Sequence, residues 1–97
     1  MEAEARVSTA KASIYMKQLC RHFGHNRPAE FDDERGRIEF DFGVCELKAD
    51  DGMLVFRVRG ETEESLERLE QVIKSHFERF AAKDQLEVSW SRESAII

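Results

Sequence analysis

Cysteine is scarce in this chain: only Cys20 and Cys45, far apart in sequence. That excludes the disulfide framework of a small secreted domain. Long apolar runs are missing as well. Met1-Glu2-Ala3-Glu4-Ala5-Arg6 lacks the apolar core of a signal peptide, and no window approaches a membrane span. Basic runs are also lacking, Arg57 and Arg59 being isolated, and the formal net charge is −5. Nucleic-acid phosphate and anionic membrane surfaces would both be repelled. There is no Ser-His-Asp logic, no glycine-rich phosphate loop and no Cys-X-X-Cys pair. These absences predict a cytoplasmic protein that contacts neither nucleic acid nor membrane, a monomer or homodimer, more a binder than an enzyme. They name no cofactor.

What remains is ordinary globular chemistry. Apolar residues make up 41% and charged ones 36% of 97 residues. That suits a single domain, residues 1–97, with one core. Ala3, Ala5 and Val7 alternate with Glu4 and Arg6 as a short strand. Ser8 or Thr9 can cap a helix in which Ala12, Tyr15, Met16, Leu19 and Phe23 share one face. Gly24 and the only proline, Pro28, end it. Ala29–Asp32 alternates, then Glu34-Arg35-Gly36 turns, then Ile38, Phe40 and Phe42 alternate with Glu39 and Asp41. After Gly43 the phase shifts to Cys45 and Leu47. Asp50-Asp51-Gly52 is hairpin chemistry, followed by Leu54, Phe56 and Val58. Thr62, Glu63 and Glu64 open a second helix that buries Leu66, Leu69, Ile73, Phe77 and Phe80. Leu86, Val88 and Trp90 alternate in a last strand, and Ser91–Ile97 is a fraying tail.

The order β-α-β-β-β-α-β predicts an α+β fold: an antiparallel-rich sheet with both helices on one face. The strand through Gly43 is either one bulged strand or two strands. The thin turn potential of a lone glycine favours the bulge. Three strands then separate the helices, which run the same way and bring His22, His25 and His76 to one end. A true reversal at Gly43 would oppose the helices and separate His76 from the other two. The opposite face of the sheet would carry Glu30, Asp32, Glu39, Asp41, Glu46, Lys48, Arg57 and Arg59.

Candidate binding residues cluster in Leu19-Cys20-Arg21-His22-Phe23-Gly24-His25. Cys and His are soft and borderline metal ligands. Cys20 and His22, however, point about 200° apart on a helix and cannot hold one ion. Cys20 suits packing better, and so does Cys45, which could meet it in space. His22 and His25 either complete the negative end of the helix or share a ligand. Lys17 and Arg21 disfavour a cation there. His76, on the apolar face, is either a structural histidine or a ligand. Asp32-Asp33-Glu34 lacks calcium-loop spacing.

Several motifs together resemble a known family. They are Leu19–His25, Glu30-Phe31-Asp32, Phe40–Leu47, His76-Phe77-Glu78-Arg79-Phe80-Ala81 and Leu86-Glu87-Val88-Ser89-Trp90. The sequence resembles the bacterial domain-of-unknown-function 2218 family over nearly its whole length. Asn26 replaces an expected basic residue and Ala82 an expected aromatic one. The resemblance implies association with siderophore-interacting flavin reductases, hence with iron or siderophore metabolism. The expectation is a non-catalytic ligand- or partner-binding accessory domain using His22, His25, His76 and Arg79, without a tightly held metal. Its alternatives are a metal-binding or metal-dependent enzyme using these histidines, and an interaction module dimerising through the open sheet face.

Overall fold

The computed structural model describes residues 1–92. The elements are β1 (Glu2–Ser8), α1 (Ala12–Gly24), β2 (Ala29–Phe31), β3 (Arg35–Phe40), β4 (Gly43–Asp50), β5 (Met53–Arg59), α2 (Glu63–Phe80), a 3-10 turn (Ala82–Asp84) and β6 (Ser91–Arg92). The strands form one sheet in the order β2-β3-β4-β5-β1-β6, antiparallel at every junction. It is an α+β fold with both helices on one face of the sheet. Neither helix is long and apolar enough to cross a membrane.

Alternation in the strands sets the core. Ala3, Ala5 and Val7, Ile38 and Phe40, Cys45 and Leu47, and Leu54, Phe56 and Val58 are all buried on the helix side. They meet Met16 and Leu19 of α1 and Leu66, Leu69, Ile73 and Phe77 of α2, each no more than 2% exposed. Glycine lets α1 press close. A Cβ on Gly36 would stand 2.8 Å from Cys20 Sγ, inside van der Waals contact. At α2 the expected cap forms: Ser65 N–H donates to Thr62 Oγ1 at 3.0 Å. At α1 it does not. The cap position is Lys11, without a side-chain bond, and Thr9 Oγ1 instead accepts the Lys11 N–H.

The chain reverses at Gly43, against the expected bulge. Phe40 pairs with Gly43, and Asp41-Phe42 is a two-residue turn. Phe42 continued the apolar alternation because its ring packs 5.3 Å from Phe40 while Arg68 covers it at 4.4 Å. It is a packed turn residue, not a strand residue. Gly43 has φ +154°, and a Cβ there would lie 2.3 Å from the Arg59 carbonyl oxygen. The glycine is required by close backbone approach.

Four strands therefore separate the helices, and the helices are opposed. They follow β1 and β5, which are antiparallel neighbours. Their contacts are Lys11 with Asp84, Tyr15 with Phe77, and His22 with both His76 and Phe80. Opposition does not carry His76 away, contrary to the sequence argument. Each of these contacts falls on residues 76–84, so α1 crosses the C-terminal end of α2.

The last expected strand is also corrected. Leu86–Trp90 is not in the sheet; only Ser91 and Arg92 pair, with Glu4 and Ala3. The extended segment is bound by two side chains and one backbone carbonyl of α2. Glu78 Oε2 accepts the Val88 N–H at 2.8 Å, Lys74 Nζ donates to the Val88 carbonyl at 2.9 Å, and Trp90 Nε1 donates to the Glu70 carbonyl at 3.0 Å. Its alternation reflects packing against a helix edge. Arg92, placed in the fraying tail by the sequence, grips both Glu70 oxygens at 3.0 Å. Residues 93–97 of that tail lie outside the described residues.

Candidate functional site

The C-terminal halves of α1 and α2 meet in a cluster of rings. His22 occupies the last turn of α1 and His25 follows as its C-cap; both are exposed. The His22 ring centre lies 5.1 Å from His76, 5.1 Å from Phe23 and 5.3 Å from Phe80. Phe23 lies 5.0 Å from His76 and 5.2 Å from Phe40. The structure thus brings His22 and His76 together.

His76 is half-buried, less than the sequence predicted. It sits about 100° around the helix from Phe77, beside the buried face. Phe80, expected inside, is half-buried for the same reason: it is the outer wall of this corner. The His76 Nδ1–H donates to the Val72 carbonyl at 2.8 Å. A carbonyl can only accept, so Nδ1 carries the proton and Nε2 of the neutral ring is left as an acceptor.

His22 titrates below the usual imidazole range. Burial is the main cause, and His76, His25 and Arg79 add to it. All three neighbours are basic side chains, and each disfavours a further positive charge. His25 and Arg79, both exposed, border the pair at this electrostatic range. Among the described residues no carboxylate contributes to the shift.

Cys20 and His22 diverge as helix geometry requires. Cys20 is 1% exposed under Gly36 while His22 faces solvent. Burial pushes the Cys20 thiol up to about 11 and the Cys45 thiol higher still. Both are protonated core groups at neutral pH, poor as nucleophiles or ligands. Among the described residues no three His, Cys, Asp or Glu side chains converge as a metal set. The acidic run is turn chemistry: Asp32 Oδ1 accepts the N–H groups of Glu34 and Arg35 at 2.8 Å each, and Asp33 pairs with Lys17 at 2.5 Å.

Sequence reading missed Arg27. Its guanidinium lies 4.7 Å from the Phe40 ring centre and 6.0 Å from that of Phe23. Its Nε is buried without a protein hydrogen-bond partner among the described residues. Only its place between the helix end and Pro28 hinted that it turns back over the rings. Tyr15 does more than pack in the core. Its hydroxyl also donates to Asp84, which Lys11 approaches at 3.3 Å, tying the start of α1 to the turn after α2.

On the other face of the sheet lies an open concavity of about 820 Å³. One rung there runs Glu30–Arg37–Glu46–Arg57–Glu4 across five strands, alternating in sign. Its pairs include Arg37–Glu46 at 2.9 Å and Arg57–Glu4 at 2.7 Å. Mixed-sign pairing thus runs across this face.

Residues 4–91 match the family described as "Uncharacterized protein conserved in bacteria (DUF2218)". The fold is similar to the NMR structure of PA4090 from Pseudomonas aeruginosa, with a TM-score of 0.78 and 32% identity, covering 93% of this chain and 94% of that one. Among the curated proteins no relative matches the chain.

Proposed function

The chain belongs to the DUF2218 family of uncharacterised bacterial proteins, and from that premise we propose that it is a non-catalytic binding domain whose contact surface is the corner His22, His25, His76 and Arg79. One observation carries this reading: the His22 and His76 rings stand 5.1 Å apart at the surface, and His76 has its Nδ1 fixed and its Nε2 free. Such a pair offers acceptors to a protic group. Arg79 offers a charge to an anion, and the faces of Phe80 and His22 offer stacking to a ring. An aromatic acid with acidic hydroxyls fits this chemistry. Nothing in the corner activates a nucleophile, since both thiols are buried and no carboxylate orients His22. We place the domain in iron or siderophore handling, with a siderophore-interacting reductase as its partner, on the strength of the motif resemblance.

The test is an NMR titration with 2,3-dihydroxybenzoate. Saturable shifts at His22, His76 and Arg79, abolished in His76→Ala, are expected. Shifts elsewhere only, or none at millimolar probe, would refute the reading.

A metal ion is the second reading, because an Nδ1–H held by a carbonyl with Nε2 free is how metal-bound imidazoles are oriented. Two rings are too few for a closed site. Zinc binding that needs both His22 and His76, and that displaces the aromatic acid, would favour it.

A further inference from the structure

The outer face of the sheet carries a second arrangement, unrelated to the histidine corner. Next to the sign-alternating rung lies another: Arg35 opposite Lys48, Lys48 opposite Val55, and Val55 opposite Arg6. These four positions hold three cations, one apolar residue and no acid; Asp32, just past β2, stands beside Arg35, its N–H donating to the Arg35 carbonyl at 2.8 Å. Like charges directly opposite on paired strands destabilise a sheet, yet Arg35 and Lys48 face each other. The neighbouring rung shows that the same face can neutralise itself across strands. The acids near this rung lie along the strands or in the adjoining turn. Glu4 contacts Arg6 at 2.7 Å, Asp50 reaches Lys48 only at 3.8 Å, and Asp32 spends one oxygen on the backbone N–H groups of Glu34 and Arg35. All these side chains line the same 820 Å³ concavity, whose apolar floor includes Met53 and Val55.

We propose that this concave face binds an elongated small molecule with an anionic group at each end and an apolar middle. The Arg35–Lys48 pair takes one end, Arg6 takes the other, and the middle lies over Val55 and Met53. Arg35 and Arg6 stand on strands three spacings apart, about 14 Å. Long side chains leaning inward shorten the gap to the length of a medium-chain dicarboxylate. Carboxylate and phosphate termini present the same chemistry to arginine.

Decanedioate is the probe, with acetate and inorganic phosphate as single-anion comparisons. The expected result is saturable amide shifts at Arg6, Arg35, Lys48 and Val55 with decanedioate, weakened by added salt. Lys48→Gln and Arg6→Gln should each weaken binding about tenfold, the loss of one charge-assisted contact. Lys83→Gln, on the turn after α2, should leave it unchanged. Lys48→Gln should also keep or raise the melting temperature, because it removes a like-charge opposition. Equal shifts with acetate or phosphate, binding indifferent to Lys48→Gln, or a melting temperature lowered by that change would each overturn the proposal.

Discussion

His76 bonds to the carbonyl oxygen of Val72, four residues back in its own helix, at 2.8 Å. That carbonyl already accepts the His76 backbone N–H in the helical ladder. Removing the ring therefore leaves no orphaned acceptor. His76→Leu should be at least as stable as His76→Gln in denaturant unfolding, because a half-buried site among Phe23 and His22 gains from an apolar side chain. A loss exceeding about 1 kcal/mol in His76→Leu relative to His76→Gln would mean that the ring is kept for structure.

Phe77 and Phe80 separate under truncation. Phe77 is fully buried against Tyr15 and Phe56, at 5.6 and 5.1 Å between ring centres. Phe77→Ala should cost roughly 3–5 kcal/mol. Phe80 lines the half-open corner, and its loss should cost about half as much or less. Equal costs by urea unfolding would show that Phe80 is sealed in solution.

The His22 imidazole should titrate below the ordinary value of about 6.5 when followed by NMR. Replacing His76 with alanine should move its midpoint upward by removing one basic neighbour and some burial. The sign for folding follows. The unfolded chain binds this proton more readily, so the contribution of His22 worsens as pH falls from the unfolded pKa toward the folded one. A midpoint unmoved in His76→Ala would deny the coupling.

Glu78 titrates below its usual value through the Lys74 ammonium first and the Val88 N–H second. Its contribution to stability is complete above the unfolded carboxylate pKa and lost as pH falls through the depressed folded one. Amides of 86–90 should lose protection in that acid window before the β3–β5 strands do. Glu78→Gln should flatten this pH dependence. Simultaneous loss throughout the sheet would show that the segment is not held separately.

Strand and helix identities were legible because alternation and the helical period report burial directly. Ala3, Ala5 and Val7, and Leu66, Leu69, Ile73 and Phe77, are inside as their spacing requires. The misreadings fall where apolar periodicity has another cause. Phe42 is apolar because a turn packs on Phe40, and Leu86–Trp90 alternates along a helix edge. The sequence argument parts His22 from His76 in opposed helices because it considers direction without the place where the helices cross. Where two packed helices cross is set by tertiary packing, and local sequence contains no term for it. The Arg35–Lys48 opposition was invisible until register was known.

The attachment of Leu86–Trp90 has a consequence for how relatives of this chain can diverge. Backbone ladders are indifferent to side-chain identity, so surface positions of a strand drift freely. Here the holding groups are the Lys74 and Glu78 side chains and the Glu70 carbonyl, with Arg92 gripping the Glu70 carboxylate beyond the segment. Positions that look like replaceable surface charge are therefore the fasteners of the C-terminal strap. Lys74 and Glu78 should change together or not at all. Covariation of position 74 with 78, and of position 70 with 92, is the trace that a side-chain latch leaves and a sheet edge does not.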